Sequence, residues 1–123
     1  MQRLENLAIF DALAESEYNE SGSSFTLQEV LGVFHEYFNQ YRQNMGQAHP
    51  LLRRHQIRRI IEAMPYIDDL RGDESGSIDI DPECYPAMIE QHFLTDYQRG
   101  CDYNINHFFS GQVRTFRFFE TCY

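Results

Sequence analysis

The stretch "FTLQEVLGVFHEYFNQYRQNMG", Phe25 to Gly46, constrains the fold more than any other part of the chain. Thr26 can accept a hydrogen bond from a free backbone N–H at a helix start, while Glu29, three residues on, reaches back to the backbone of Thr26. Phe25 and Val30 stand where a flanking hydrophobic staple would sit. Leu27, Val30, Leu31, Phe34, Phe38, Tyr41 and Met45 then recur every three or four residues, the spacing of one buried helical stripe. Gly46 is placed to stop the helix. An amphipathic helix this long needs other apolar faces to cover it.

The rest of the chain offers those faces. Leu4, Leu7, Ala8 and Phe10 to Leu13 predict a first helix, followed by the polar stretch "ESEYNESGSS" as a loop. Pro50 is placed to open a third helix, with Ile57, Ile60, Ile61 and Met64 on its apolar face and Pro65 at its end. "YIDDLRGDESGSIDID", Tyr66 to Asp81, reads as a small β-hairpin or loop around an acidic Gly/Ser turn. A fourth helix starts at Asp81-Pro82 or at Pro86, with Ile80 and Tyr85 as a staple. It turns Met88, Ile89, His92 and Phe93 inward, up to about Tyr97. Residues 102–123 carry 7 Phe or Tyr and admit two readings: helix, which is preferred, with a break near Ser110-Gly111, or strand. The expected fold is mainly α, one domain over 1–123 of four to five helices, with one small hairpin at 66–80. A winged-helix-like arrangement is compatible with that order.

Charge bounds function. The net charge is −9, and all ten basic residues are arginine. Residues 1–25 carry −4, residues 50–65 carry +3 and residues 66–83 carry −6. The overall balance disfavours general nucleic-acid binding, whose affinity comes mainly from basic side chains. No apolar run approaches the ~20 residues of a membrane span. The N-terminus has neither the basic lead-in nor the small-residue site of a signal peptide. Three cysteines with no CxxC spacing predict free thiols and a cytoplasmic setting.

The basic element is "HPLLRRHQIRRIIEAMP", where Arg53, Arg54, Arg58 and Arg59 flank one apolar stripe. Helix, basic helix and short hairpin follow in the order of a winged helix–turn–helix, whose second helix enters the major groove. Asp68, Asp69, Asp73, Glu74 and Asp79 in the would-be wing oppose that reading, because they repel phosphate. The competing reading pairs the four arginines with the acidic neighbour in the same domain, residues 66–83. A third offers them to a protein partner.

Motifs for chemistry are sparse. With Gly76 at the sixth position, the acidic turn approaches an EF-hand calcium loop, placing Asp73, Ser75, Ile78 and Asp79 well. It also puts Arg71 at the first position and Pro82 at the twelfth, where ligands are needed. His92, Cys101, His107 and Cys122 are metal-capable residues whose spacings match no zinc pattern, so no metal and no cofactor are expected. The histidines are expected as helix residues with one packed edge. There is no GxSxG, HExxH or phosphate-binding Gly loop, which favours a non-enzymatic protein.

The blocks "MPYID", "YPAMIEQHF" and "YNINHFFSGQVRTFRFFETCY" resemble small uncharacterised accessory proteins of bacterial mobile elements, over the chain from about Phe25 onward. The resemblance implies a bacterial cytoplasm and an accessory role, and it assigns no residue a function. With the acidic composition it favours a binding or regulatory protein acting through a protein partner. Acidic inhibitors that imitate nucleic acid belong to that class. The runner-up readings are a winged-helix-like DNA-binding regulator and a degenerate calcium-loop protein. In the tail, Ile105, Phe109, Val113 and Phe116 are expected to cover the core. Phe108, Phe118 and Phe119, with Arg114 and Arg117, are expected as a partner or dimer contact. Deleting the chain from Gly111 onward is expected to unfold the domain.

Overall fold

The computed structural model describes residues 2–69, 76–97 and 100–110, with the backbone alone at 68, 69 and 76–78. Among the described residues, five helices and one strand pair follow in chain order: α1 (Leu7–Ser21), α2 (Leu27–Met45), α3 (Arg54–Ala63), β1 (Tyr66–Asp69), β2 (Gly76–Asp79), α4 (Tyr85–Leu94) and α5 (Ile105–Phe108). A single 3-10 turn, Pro82–Cys84, leads into α4. The domain is mainly helical, as the sequence predicts. α1 packs chiefly on α3, and α2 packs on α4.

α2 follows its sequence signals closely. The Thr26 hydroxyl accepts from Glu29 N at 3.1 Å, and Glu29 Oε1 accepts from Thr26 N at 2.8 Å. Such a cap stabilises a helix by about 1 kcal/mol. Phe25 and Val30 are both buried, and Gly46 ends the helix at φ 73, the left-handed conformation that glycine adopts without a Cβ penalty. The buried face is wider than a single stripe, because Val33 and Tyr37 join Val30, Phe34, Phe38 and Tyr41, whereas Met45, expected on the stripe, is exposed in the last turn. A helix covered by both α1 and α4 needs that width. Phe10 of α1 meets Phe34 and Phe38 edge-on, each with centroids 5.0 Å away.

Two boundaries differ from the sequence reading. The expected polar loop after Leu13 is helical up to Ser21, with Gly22 as its left-handed cap. Tertiary contacts hold that second half. Glu17 is buried against two arginines of α3, and the Tyr18 hydroxyl donates to Phe25 O at 2.6 Å. The third helix begins at Arg54 rather than Pro50. Residues before it are held extended instead: Pro50 bridges Arg3, and Leu51 N donates to Gln2 O at 3.2 Å. Ile57, Ile60, Ile61 and Met64 are fully buried, as expected.

β1 and β2 pair antiparallel, Tyr66 opposite Asp79 and Asp69 opposite Gly76, which is the expected hairpin. Both proposed starts of the fourth helix have a counterpart, Pro82 opening the 3-10 turn and Tyr85-Pro86 opening α4. The helix stops at Leu94, short of Tyr97.

Of the terminal segment, Ile105–Phe108 forms one helical turn with Ile105, Phe108 and Phe109 buried. Phe108 is therefore core, which corrects its assignment to a partner contact. Tyr37, Tyr85 and His92 surround its ring. Val113, Arg114, Phe116, Arg117, Phe118, Phe119 and Cys122 lie outside the described residues, as do Arg71, Asp73, Glu74 and Ser75 of the acidic turn. The expected effect of deleting from Gly111 onward likewise falls there.

Candidate functional site

The Arg-rich helix turns inward against α1. Arg54 Nη2 lies 2.9 Å and Arg58 Nε 3.2 Å from the two carboxylate oxygens of Glu17, and Arg58 Nη2 reaches Glu20 at 2.5 Å. Arg54 also donates to Ser16, and Arg59 to Asn106 Oδ1 at 3.1 Å. Arg53 is exposed, and its backbone N–H donates to Gln56 at the helix start. Sequence reasoning anticipated intramolecular pairing but looked toward the acidic 66–83 segment. For Arg54 and Arg58 the acids are Glu17 and Glu20, from the second half of α1. A groove-reading helix needs its cations facing outward, and here two of the four already hold carboxylates.

The acidic turn joins two strands, whereas an EF-hand loop joins two helices. Asp68 and Asp69 stand in β1, and Asp79 ends β2 as an exposed residue.

Sequence reasoning missed a second acidic feature, the furrow between α2 and α4. One cleft of about 330 Å³ has Val33, Tyr85, Pro82 and Pro86 for walls, with Glu29, Glu36 and Glu83 around it. A neighbouring cleft of about 390 Å³ shares Glu36 and adds Glu90, Phe93 and Leu94. No arginine or histidine lines either cleft among the described residues. Gln40 crosses between them, donating to Pro86 O at 3.2 Å and to Glu36 Oε1 at 2.8 Å. Leu94, 67% exposed, sits at the far end. The four carboxylates are distant in sequence, so no local motif marks them.

The third feature gathers residues whose spacing carried no signal. His92 near the end of α4, Cys101 in the following loop and His107 in α5 bring their ligand atoms within 4.8 Å of one another. Cys101 Sγ lies 2.8 Å from His107 Nδ1 and accepts from Tyr103 N at 3.2 Å. The Tyr97 hydroxyl meets His92 Nδ1 at 2.6 Å. A tight loop makes this convergence. Gly100 takes φ 79 and Tyr103 φ 56, a conformation that costs a non-glycine residue about 1–2 kcal/mol. Tyr103 is held there by its neighbours: its carbonyl accepts from Tyr37 at 2.5 Å, its hydroxyl donates to Thr95 O at 2.6 Å, and its ring stacks on Phe93.

Burial sets the protonation of this region. It lowers His92 to about 3, helped by His107, so the imidazole is neutral at physiological pH. Burial pushes the Cys101 thiol up, and Asp102 adds to that, against the Tyr103 N–H bond that favours the thiolate. A raised thiol pKa is the reverse of what an activated nucleophile needs. The Cys101–His107 contact therefore has the geometry of a nucleophile–base pair without its electrostatics.

His49 is the other buried histidine, and it lies in a loop rather than on a helix edge. Its Nδ1 bonds Pro50 O at 2.7 Å, and its Nε2 accepts from Ile105 N at 3.0 Å. Those partners fix the neutral tautomer with the proton on Nδ1. Burial, with Arg3 nearby, lowers its pKa to about 4, against the raising effects of Pro50 and Asp102.

Of the cysteines, Cys101 is a free thiol and Cys84 is disulfide-bonded, which corrects the expectation for Cys84 and removes cysteine usage as a guide to compartment. No helix among the described residues is long and apolar enough to cross a membrane. Comparisons with protein families, with curated proteins and with solved structures find no match to this chain.

Proposed function

We propose that this is a small acidic, non-enzymatic binding protein that acts through a protein partner, which it engages along the α2–α4 furrow. The observation that carries the reading is the lining of that furrow: Glu29, Glu36, Glu83 and Glu90 around apolar walls, with no cation beside them among the described residues. Such a surface complements a helix or loop that combines arginine or lysine with apolar side chains. Complementary charge speeds encounter and fixes orientation, while the apolar walls hold the bound state. Nucleic-acid-handling proteins carry basic elements of this kind, so an inhibitor or regulator of one in a bacterial mobile element is the particular role proposed.

The test is binding of an arginine-rich amphipathic peptide, followed by fluorescence anisotropy as salt is raised. Neutralising Glu36, Glu83 and Glu90 to Gln is expected to weaken binding by roughly tenfold or more. Neutralising exposed Glu5, Glu15 and Glu62 to Gln, an equal change in net charge, is expected to have an effect of about threefold or less, that of long-range screened charge. Equal losses in the two triple variants would reduce the furrow to a share of the overall charge and sink the proposal.

A further inference from the structure

We propose that His92, Cys101 and His107 form a zinc site, holding the ion through two imidazoles and one thiolate, with a fourth position that no other His, Cys, Asp or Glu among the described residues is placed to fill. The inference is independent of the partner furrow and rests on different residues.

Three segments converge to make the cluster, and their ligand atoms already lie within 4.8 Å of one another. Zinc bonds to sulfur at about 2.3 Å and to imidazole nitrogen at about 2.0–2.1 Å, which at a tetrahedral angle separates S and N by roughly 3.6 Å. Cys101 Sγ and His107 Nδ1 stand 2.8 Å apart, bonded to each other. Admitting the ion therefore replaces that hydrogen bond and asks for an opening of about 0.8 Å. Both residues are half-buried rather than enclosed, which leaves room for that opening.

Two surrounding contacts are of the kind that orient metal ligands. The Tyr97 hydroxyl bonds Nδ1 of His92 and directs the ring's other nitrogen to the task of ligation. Tyr103 N donates to the Cys101 sulfur, which stabilises a thiolate. The donor set also selects the ion. It contains no carboxylate or carbonyl oxygen, so magnesium and calcium have nothing to bind. Two imidazoles with one thiolate suit zinc, and three protein ligands with one open position match its open sites. Bound there, zinc would clip α5 to the end of α4.

Cobalt(II) titration of the full chain after chelator treatment tests this. One equivalent is expected to bind, with a thiolate-to-cobalt charge-transfer band and the visible spectrum of a tetrahedral ion, and zinc is expected to displace it. Cys101→Ser is expected to abolish the charge-transfer band, and His107→Gln to weaken binding at least tenfold. Tyr97→Phe, which keeps all three ligands, is expected to weaken it by roughly 10–100-fold. Circular dichroism of each apo variant verifies that it folds. A readout on the unaltered protein stands beside these: zinc is expected to slow alkylation of Cys101, located by peptide mapping. Absence of the band, its persistence in Cys101→Ser, or alkylation at the same rate with and without zinc would each overturn the proposal.

Discussion

His49 shows how much one buried side chain can organise. Its ring ties the loop after α2 to the start of α5, and its carbonyl accepts from Leu4 N at 2.7 Å, bringing in the N-terminal segment. Protonation would place an N–H on Nε2 facing the N–H of Ile105, so the folded state resists it. The pKa falls from about 6.5 in the unfolded chain to about 4 in the fold. Between those values the unfolded state binds more protons, so stability rises with pH there. Its contribution is fully present above pH 6.5 and is lost as pH falls toward 4. Integrated, it is worth roughly 3 kcal/mol. His49→Phe, which cannot accept from Ile105, is expected to destabilise by about 1–3 kcal/mol at pH 7. The gap to the native protein should narrow as pH approaches 4, because only the native protein carries this His49 penalty. Urea midpoints at pH 7 and 4.5 measure both effects, and a gap that stays constant would show that His49 does not titrate this way.

Between elements, the Glu17 carboxylate is the hinge of the α1–α3 contact. It is nearly fully buried, whereas Glu20, which shares Arg58, is mostly exposed. Removing Glu17 leaves the Arg58 guanidinium half-buried with a single exposed partner. Glu17→Ala is expected to cost about 2–4 kcal/mol, and Glu20→Ala about 0–1 kcal/mol. Equal shifts in the denaturant midpoint for the two variants would show that burial does not strengthen the Glu17 pair. The same contact explains what could be read from sequence. α2 carries its instructions locally in Thr26, Glu29, Gly46 and the spacing of its apolar residues, so its extent was legible. "ESEYNES" has no apolar stripe of its own, and its helicity depends on arginines from α3 (|i−j| of 37 to 41). The cluster of His92, Cys101 and His107 is hidden for a related reason. A backbone turn through Gly100 and Tyr103, not a repeat spacing, brings the three together. The apolar positions of α3 and α4 were legible because their burial follows helical period alone.

At the scale of the molecule, charge is sorted into an internal and an external share. Arg54 and Arg58 are spent on Glu17 and Glu20, joining α3 to α1, while the furrow glutamates stand without lining cations among the described residues. The chain as a whole carries a net charge of −9. This makes the winged-helix reading testable without the usual ambiguity. Reversing Arg58 would break the α1–α3 contact, so lost DNA binding in that variant could reflect unfolding. Arg53 and Arg59 are exposed and hold no carboxylate among the described residues, so Arg53→Glu with Arg59→Glu is the informative pair. The native protein is expected to show no salt-dependent binding to duplex DNA at physiological ionic strength, and the double variant to melt within about 1 kcal/mol of it. If the native chain instead binds duplex DNA with an affinity that falls steeply with salt, and the folded double variant does not, the outward face of α3 reads phosphate and the proposal of a basic protein partner in the furrow gives way to it.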